Sequence, residues 1–503
     1  MAHHFANTIP AHLLMWQRVR EYAVPPSMIE TATARRAVGD WAGACAAARI
    51  DVDLDLRAVR DRHGTELVTR LRADLRRLAP DLLRWHMPRI VPDGRLRPGL
   101  TISLARYRSS GATPLQLVVR TPPAWADAGQ RMSLALWEES GIGAPRHHPH
   151  PHPDRRFRLD LHRHLWDSGR CGELAWRCGA GGEPFLAPPD RPYTLARPDV
   201  PDLPDRSAVH DCSWASARWA AEAELLLGAE GRPRGAFTVR LGTRSRAVLE
   251  LVAPDDSHAP TFRPLREALP PQEVAALPVL PEAAARVLPD LELLRAGLVA
   301  SDRLHPLVAT ALAVAASAAA AAGSGPAAGS APQPSDPHRV ECRGEVHRIA
   351  LRDGALTAID HDPAQLRREE LLVALGGPAL PCLRAIDAVH REPEALPAVR
   401  ERLGHGDVAG ALNVVEGLLG PGAVLRDGPL REELESAAAR RIDHGLFRSG
   451  LVAVHPAAGA VGGGNASGLG HAEPGHRPRL DRRTPAAMRL KRSSRARPRT
   501  GLT

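Results

Sequence analysis

Several clusters in this 503-residue chain have residue types and spacing that could do chemistry. The first is Ile359-Asp360-His361-Asp362, with Cys382 and His390 downstream. A thiol beside an imidazole makes a nucleophile and base, and a carboxylate can orient the base. His361, Asp362, Cys382 and His390 are therefore the catalytic candidates, for a hydrolase or transferase assembled from groups dispersed in sequence.

The second is His147-His148-Pro-His150-Pro-His152-Pro-Asp154, followed by His162 and His164. Neutral imidazoles at His147, His148, His150 and His152 are donors for a divalent metal, and His162 with His164 would share one face of a strand end. The interleaved prolines hold the stretch extended, so that its rings diverge. Neither an H-E-x-x-H helix nor a cysteine pair accompanies it, and the expectation is an exposed loop with no resident metal and no cofactor.

Asp51-Val-Asp53-Leu-Asp55 opens like a calcium loop, but Leu56 stands where glycine is needed and Arg62 where the bidentate glutamate belongs. Asp55 reads instead as the cap of a helix from Leu56. Two further histidines, in Asp61-Arg-His63-Gly64 and Ile442-Asp-His444-Gly445, read as helix-terminal residues before glycine.

Exclusions narrow the chemistry. The 66 basic side chains include a single lysine, Lys491, in Met-Arg-Leu-Lys-Arg-Ser-Ser. A phosphate-loop lysine, a kinase strand lysine and a Schiff-base lysine all need an ammonium on an ordered element. No G-x-S-x-G elbow is present. The glycine run Gly462 to Gly468 has no preceding strand or following helix, and reads as a tether.

The net charge of +9 is unevenly placed: positions 456–503 carry a net +8 and the preceding 455 residues a net +1. Attraction to phosphate therefore belongs to the tail, above all Arg477 to Arg499, which lacks aromatic side chains for base stacking. Weak nucleic-acid contact is the most that it offers. The N-terminus has no basic region followed by an apolar core, and the apolar run from Leu307 to Ala322 is shorter than the roughly 20 residues of a membrane span. A cytoplasmic protein without membrane contact is expected, and its six scattered cysteines lack any C-x-x-C pair.

These groups need elements to hold them. Positions 1–95 read as short helices: Ser27 and Glu30 form a capping box, Gly39 stops a helix, Asp40 starts the next, and Gly64-Thr65 repeats that logic. Leu71, Leu75, Leu78, Leu82 and Trp85 keep the spacing of a buried face. Over 96–258 the period changes to two, with Leu100, Ile102 and Leu104, then Met132, Leu134 and Leu136, alternating with smaller or polar residues. An antiparallel meander is predicted, extended by Phe157–Leu161 and Phe237–Leu241. Positions 259–321 return to helix, and 322–337 form an Ala/Gly/Ser/Pro linker.

Over 338–455, Glu345 to Arg352, Asp353-Gly354 and Ala355 to Asp360 predict a hairpin. Asp362 then caps a helix with Pro363 at its first position and Gly376 as its stop. Positions 456–503 form a disordered basic tail. The fold class is α+β. Gly39-Asp-Trp-Ala-Gly-Ala44 recurs as Gly406-Asp-Val-Ala-Gly-Ala411, each between two predicted helices. Asp40, Trp41 and Asp407 are accordingly the interaction candidates. The leading expectation is a non-enzymatic interaction or scaffold protein with a protein partner, ahead of the hydrolase or transferase and of nucleic-acid binding through the tail.

Overall fold

The computed structural model describes residues 9–107, 115–138, 152–178, 214–232, 234–242, 245–252, 259–266, 268–319, 339–342, 345–352, 355–391, 395–420, 422 and 424–450. His147, His148, His150, the linker, Asp353-Gly354 and the basic tail lie outside them. The fold is α+β, with several separate sheets. The chain divides into one unit of Met1–Pro122 with Arg131–Gly323, and a second of Pro123–Gln130 with Ser324–Thr503. No helix among the described residues is long and apolar enough to cross a membrane.

The first unit opens with α1 (Ala11–Arg18), prolonged by a π turn over Val19–Ala23, then α2 (Pro26–Ala37) and α3 (Trp41–Ala47). Next come β1 (Ile50–Asp53), α4 (Leu56–Arg77), α5 (Pro80–His86) and the small hairpin β2 (Arg89–Ile90) and β3 (Arg95–Leu96). Helix α2 starts at Pro26 with Pro25 at its cap and no side-chain bond, so the Ser27 capping box is not formed. Proline explains the shift, because its fixed φ suits the first turn and its missing N–H costs nothing there. Asp55 does cap α4, accepting from the Arg57 and Ala58 amides at 2.9 and 3.1 Å. Gly64, at φ +87° and ψ 171°, is non-helical within α4, so that two helical segments meet there at a kink, in keeping with the stop and restart expected at Gly64-Thr65.

The meander forms from β4 (Thr101–Tyr107), β5 (Leu115–Arg120) and β6 (Met132–Glu138), and β1 adds to β6 in parallel. The segment read as a failed calcium loop is thus partly an edge strand. Leu71, Leu75, Leu78, Leu82 and Trp85 from α4 and α5 are buried, in one core with Ile102, Leu104, Leu117, Val119 and Leu134 from the sheet. Residues 157–161 add only a bridge, Ser103 to Arg158, and do not extend the sheet. Their Arg158 and Asp160 are committed to an ion pair at 2.8 Å.

After α6 (Leu174–Arg177) and α7 (Trp219–Ala229), β7 (Gly235–Arg240), β8 (Arg246–Val252) and β9 (Thr261–Pro264) form a separate antiparallel sheet. Phe237, expected to extend the meander, is instead buried with Trp219, Val239, Leu249 and Leu251 in a second core. Helices α8 (Pro271–Ala276), α9 (Glu282–Ala285), α10 (Pro289–Arg295) and α11 (Pro306–Ala319) complete the unit.

The second unit carries β10 (Arg339–Cys342), β11 (Glu345–Arg352) and β12 (Ala355–Ala358) as an antiparallel sheet, the predicted hairpin being its β11–β12 half. Helices α12 (Pro363–Ala374), α13 (Pro381–Arg391), α14 (Leu396–Gly404), α15 (Val408–Leu419) and α16 (Pro429–Arg448) follow. Asp362 caps α12 by accepting from the Ala364 amide, and Gly376 stands just beyond its end at φ +88°. Cross-strand pairing of Val340 with His347 and of Ile349 with Ala358 sets Val340, Cys342, His347, Ile349, Leu356 and Ala358 on one face. Cys342, Ile349, Leu356 and Ala358 on that face are buried.

Candidate metal centre

On that face, β10 ends at Cys342, and its thiol is fully buried. Cys382 is the second residue of α13, also fully buried. His361 follows β12 by three positions, on the connection into α12. The two sulfurs and one imidazole nitrogen lie within 4.8 Å of one another. Three elements thus deliver three donors to one point.

The connection that presents His361 is held on both sides. Asp360 accepts from the Arg348 backbone amide at 2.8 Å and from its guanidinium at 3.1 and 3.3 Å. The Arg348 guanidinium holds the Asp360 carboxyl below its usual range. Asp362 is committed to its cap on α12 at 3.2 Å. With both neighbours engaged, the backbone at His361 has little freedom to wander. Its amide also reaches the Ala358 carbonyl at 3.4 Å.

Around the donors stand Ala358, Leu366 and Leu380, with Val340 and Leu383 partly buried beside them. Burial, with the Cys342 thiol as neighbour, pushes Cys382 up to about 11. As thiols the pair is neutral and tolerable among apolar side chains. As thiolates they cancel a dication, so the assembled site would again carry no net charge in a dry setting. Two sulfurs and an imidazole suit zinc and other borderline or soft ions, not magnesium or calcium. Zinc bonds of about 2.3 Å to sulfur and 2.0 Å to nitrogen set tetrahedral edges near 3.5–3.8 Å. The triangle's edges therefore need to contract by about 1.3 Å at most.

A fourth side chain, another imidazole, stacks on the histidine of the triad. His347, on β11, stacks on His361 with ring centroids 4.2 Å apart and planes 10° from parallel. Its Nδ1 is buried and accepts or donates no hydrogen bond to the protein.

The other sequence candidates lie elsewhere. His390 falls on α13 where side chains are outside the described residues. His152 is exposed, with its ring against Trp137. His162 and His164 are buried near a single 3₁₀ turn and not on a strand end. His162 bonds Glu222 at 3.1 Å, and Arg177 and Arg218 share that carboxylate, so it serves an ion network. His63 pairs with Glu138 at 3.1 Å. His444 is inside α16 and not at its end, bonding the Ala126 carbonyl at 2.8 Å, because α16 runs through Gly445 to Arg448.

Asp40 and Asp407 turn their carboxylates inward. Each caps its helix, accepting from Gly43 at 2.8 Å and Gly410 at 3.1 Å. Each also pairs with an arginine five positions earlier, Arg35 at 3.2 Å and Arg402 at 2.7 Å. A β-carbon on Gly43 or Gly410 would stand 2.1 Å from Oδ2 of the capping aspartate, the oxygen that pairs with the arginine, which is why glycine recurs there. Trp41 is half-buried against the core of the first unit. The six-residue echo is therefore one turn built twice.

Cys342 and His347 were missed by sequence reasoning. Alternation along the predicted hairpin strand puts His347 on the same face as Ile349, whereas Cys342 lies on β10, a strand that the hairpin signal does not include. No family model matches this chain, and neither a curated protein nor a solved structure matches it.

Proposed function

We propose that residues 339–450 form a metal-stabilised, non-enzymatic interaction module in which Cys342, His361 and Cys382 hold one zinc-class dication. The convergence of those three donors within 4.8 Å carries this reading. Such an ion would tie the end of β10, the connection after β12 and the start of α13, in a unit whose own cores are small. Binding energy at such a clip is folding energy. The interaction half of the reading is supported by α12 and the residue beyond it, where Leu371, Leu372 and Leu375 are 65%, 50% and 87% exposed. Contiguous exposed leucines of this kind mark docking surfaces more often than bare solvent faces.

A hydrolase or transferase working at the same ion is the second reading. It is favoured by the count of three protein donors, since catalytic zinc keeps three protein ligands and one open position. Cobalt(II) titration of chelator-treated protein tests the binding claim. One equivalent should bind with thiolate-to-cobalt charge-transfer absorption, and Cys382→Ser should lose it. Absorption lacking that band, or unchanged in Cys382→Ser, contradicts the proposal. For the interaction half, a partner recovered by the wild type should be lost by Leu371→Glu/Leu375→Glu, and full retention counts against α12.

A further inference from the structure

We infer that His347 is the fourth donor, through Nδ1, and that it closes the centre as a two-cysteine, two-histidine site. This deepens the metal reading above and rests on it. Three observations meet at His347. The β10–β11 register puts it on the same sheet face as Cys342, one cross-strand step away. Its ring lies against that of His361. Its Nδ1 is buried without a hydrogen bond in the protein.

The alternatives for the fourth position are weaker. Asp360 and Asp362 flank His361, but both are exposed and both carboxylates are engaged, one by Arg348 and the other by the α12 amide. Water would complete an open, catalytic centre. Against that stands a nitrogen donor already at hand, because the buried Nδ1 of His347 has no hydrogen-bond partner in the protein and its ring adjoins that of His361.

One geometric demand follows. An imidazole binds a metal through the lone pair in its ring plane, so two rings only 10° from parallel do not both aim at one ion. Closure needs the His347 ring to leave the stack by rotation about its side-chain bonds while β11 stays paired. A ring-to-ring contact is a weak restraint beside a metal–nitrogen bond, so the exchange favours coordination. The closed site then has no place for substrate, and the centre is structural.

X-ray absorption of the zinc-loaded full chain tests this directly. The wild type should show two sulfur and two nitrogen neighbours. His347→Ala should bind zinc more weakly by roughly 100-fold, at or beyond the range for residues that merely support a metal site. His347→Cys should raise the sulfur count from two to three, a change that no packing role produces. If zinc binds through two sulfurs, and His347→Ala keeps its affinity while His347→Cys keeps two sulfurs, the fourth-donor inference is wrong and the triad survives. If the wild type binds no zinc through sulfur, the metal reading itself fails.

Discussion

The imidazole of His347 lies flat on that of His361, centroids 4.2 Å apart, and a nitrogen of His361 in turn lies within 4.8 Å of two buried thiols from different elements. On the proposed reading, a shared ion would account for two imidazoles meeting two thiols from separate elements.

Linkage then sets a prediction on stability. Zinc at 100 times its dissociation constant should stabilise the unfolding transition of the C-terminal unit by about 2.7 kcal/mol. Cys342→Ser should remove that increment. Denaturant midpoints with and without zinc measure it, and equal midpoints in the wild type would argue against a structural ion.

The two Gly-Asp turns should respond differently to a β-carbon. Gly39 has φ +77° with nothing within 4 Å of an added methyl, whereas at Gly406, φ +83°, the methyl would stand 2.1 Å from the Gly129 carbonyl oxygen. Gly39→Ala should cost about 1 kcal/mol from backbone strain alone. Gly406→Ala should cost more than about 2 kcal/mol, because a backbone atom has to yield as well. Equal losses in chemical denaturation would show that the Gly129 approach is not maintained in solution.

Acid should loosen the first unit through two buried carboxylates. Burial works against ionisation of Asp74, but hydrogen bonds from Arg163, Tyr107 and Arg77 outweigh it and hold its pKa below the usual range. Asp290 is likewise opposed by burial and held down by His86 and Trp85, the indole donating at 2.8 Å. A depressed folded pKa contributes stability above the unfolded value of about 3.9, and that stability is lost as pH falls through the folded value. Unfolding midpoints should therefore fall steeply below about pH 4, and less steeply in Asp74→Asn. Identical acid slopes in the two proteins would show that Asp74 does not carry the effect.

Arg84 should be among the costliest side chains to remove from the first unit. It is fully buried and donates to the carbonyls of Ala23 and Ala48, at the C-terminal ends of the π turn and of α3. Burial lowers its pKa, with Arg49 and Arg89 adding repulsion. Arg84→Met leaves both helix ends without these donors and should cost about 3 kcal/mol. A loss below about 1 kcal/mol in thermal or denaturant unfolding would show that water replaces the guanidinium there.

Sequence reached different depths in the two halves of the fold. Local signals were readable wherever one residue decides a boundary: Asp55, Asp362, Gly376 and the leucines of α4 and α5 all act as their types require. What sequence could not supply was tertiary register. The parallel docking of β1 on β6, and the separation of Phe237 into another sheet, depend on contacts between distant segments that periodicity does not encode.

The candidate site divides in the same way. His361 and Cys382 were singled out because a Cys and a His downstream of a hairpin invite chemistry. Their convergence with Cys342 is a product of sheet register and helix docking, and no local motif announces it. The histidine-rich run drew attention through composition, although composition says nothing about convergence. Asp40 and Asp407 stood out through repetition, and their carboxylates are used up as helix caps.

The most direct test of the account is the zinc content of the full-length protein purified without chelator or added metal. Elemental mass spectrometry should give about one zinc per chain, falling to background in Cys342→Ser/Cys382→Ser with the chain still folded by circular dichroism. A wild-type protein free of zinc and similar ions, or a double variant that retains the same amount, would contradict the metal centre on which the functional reading stands.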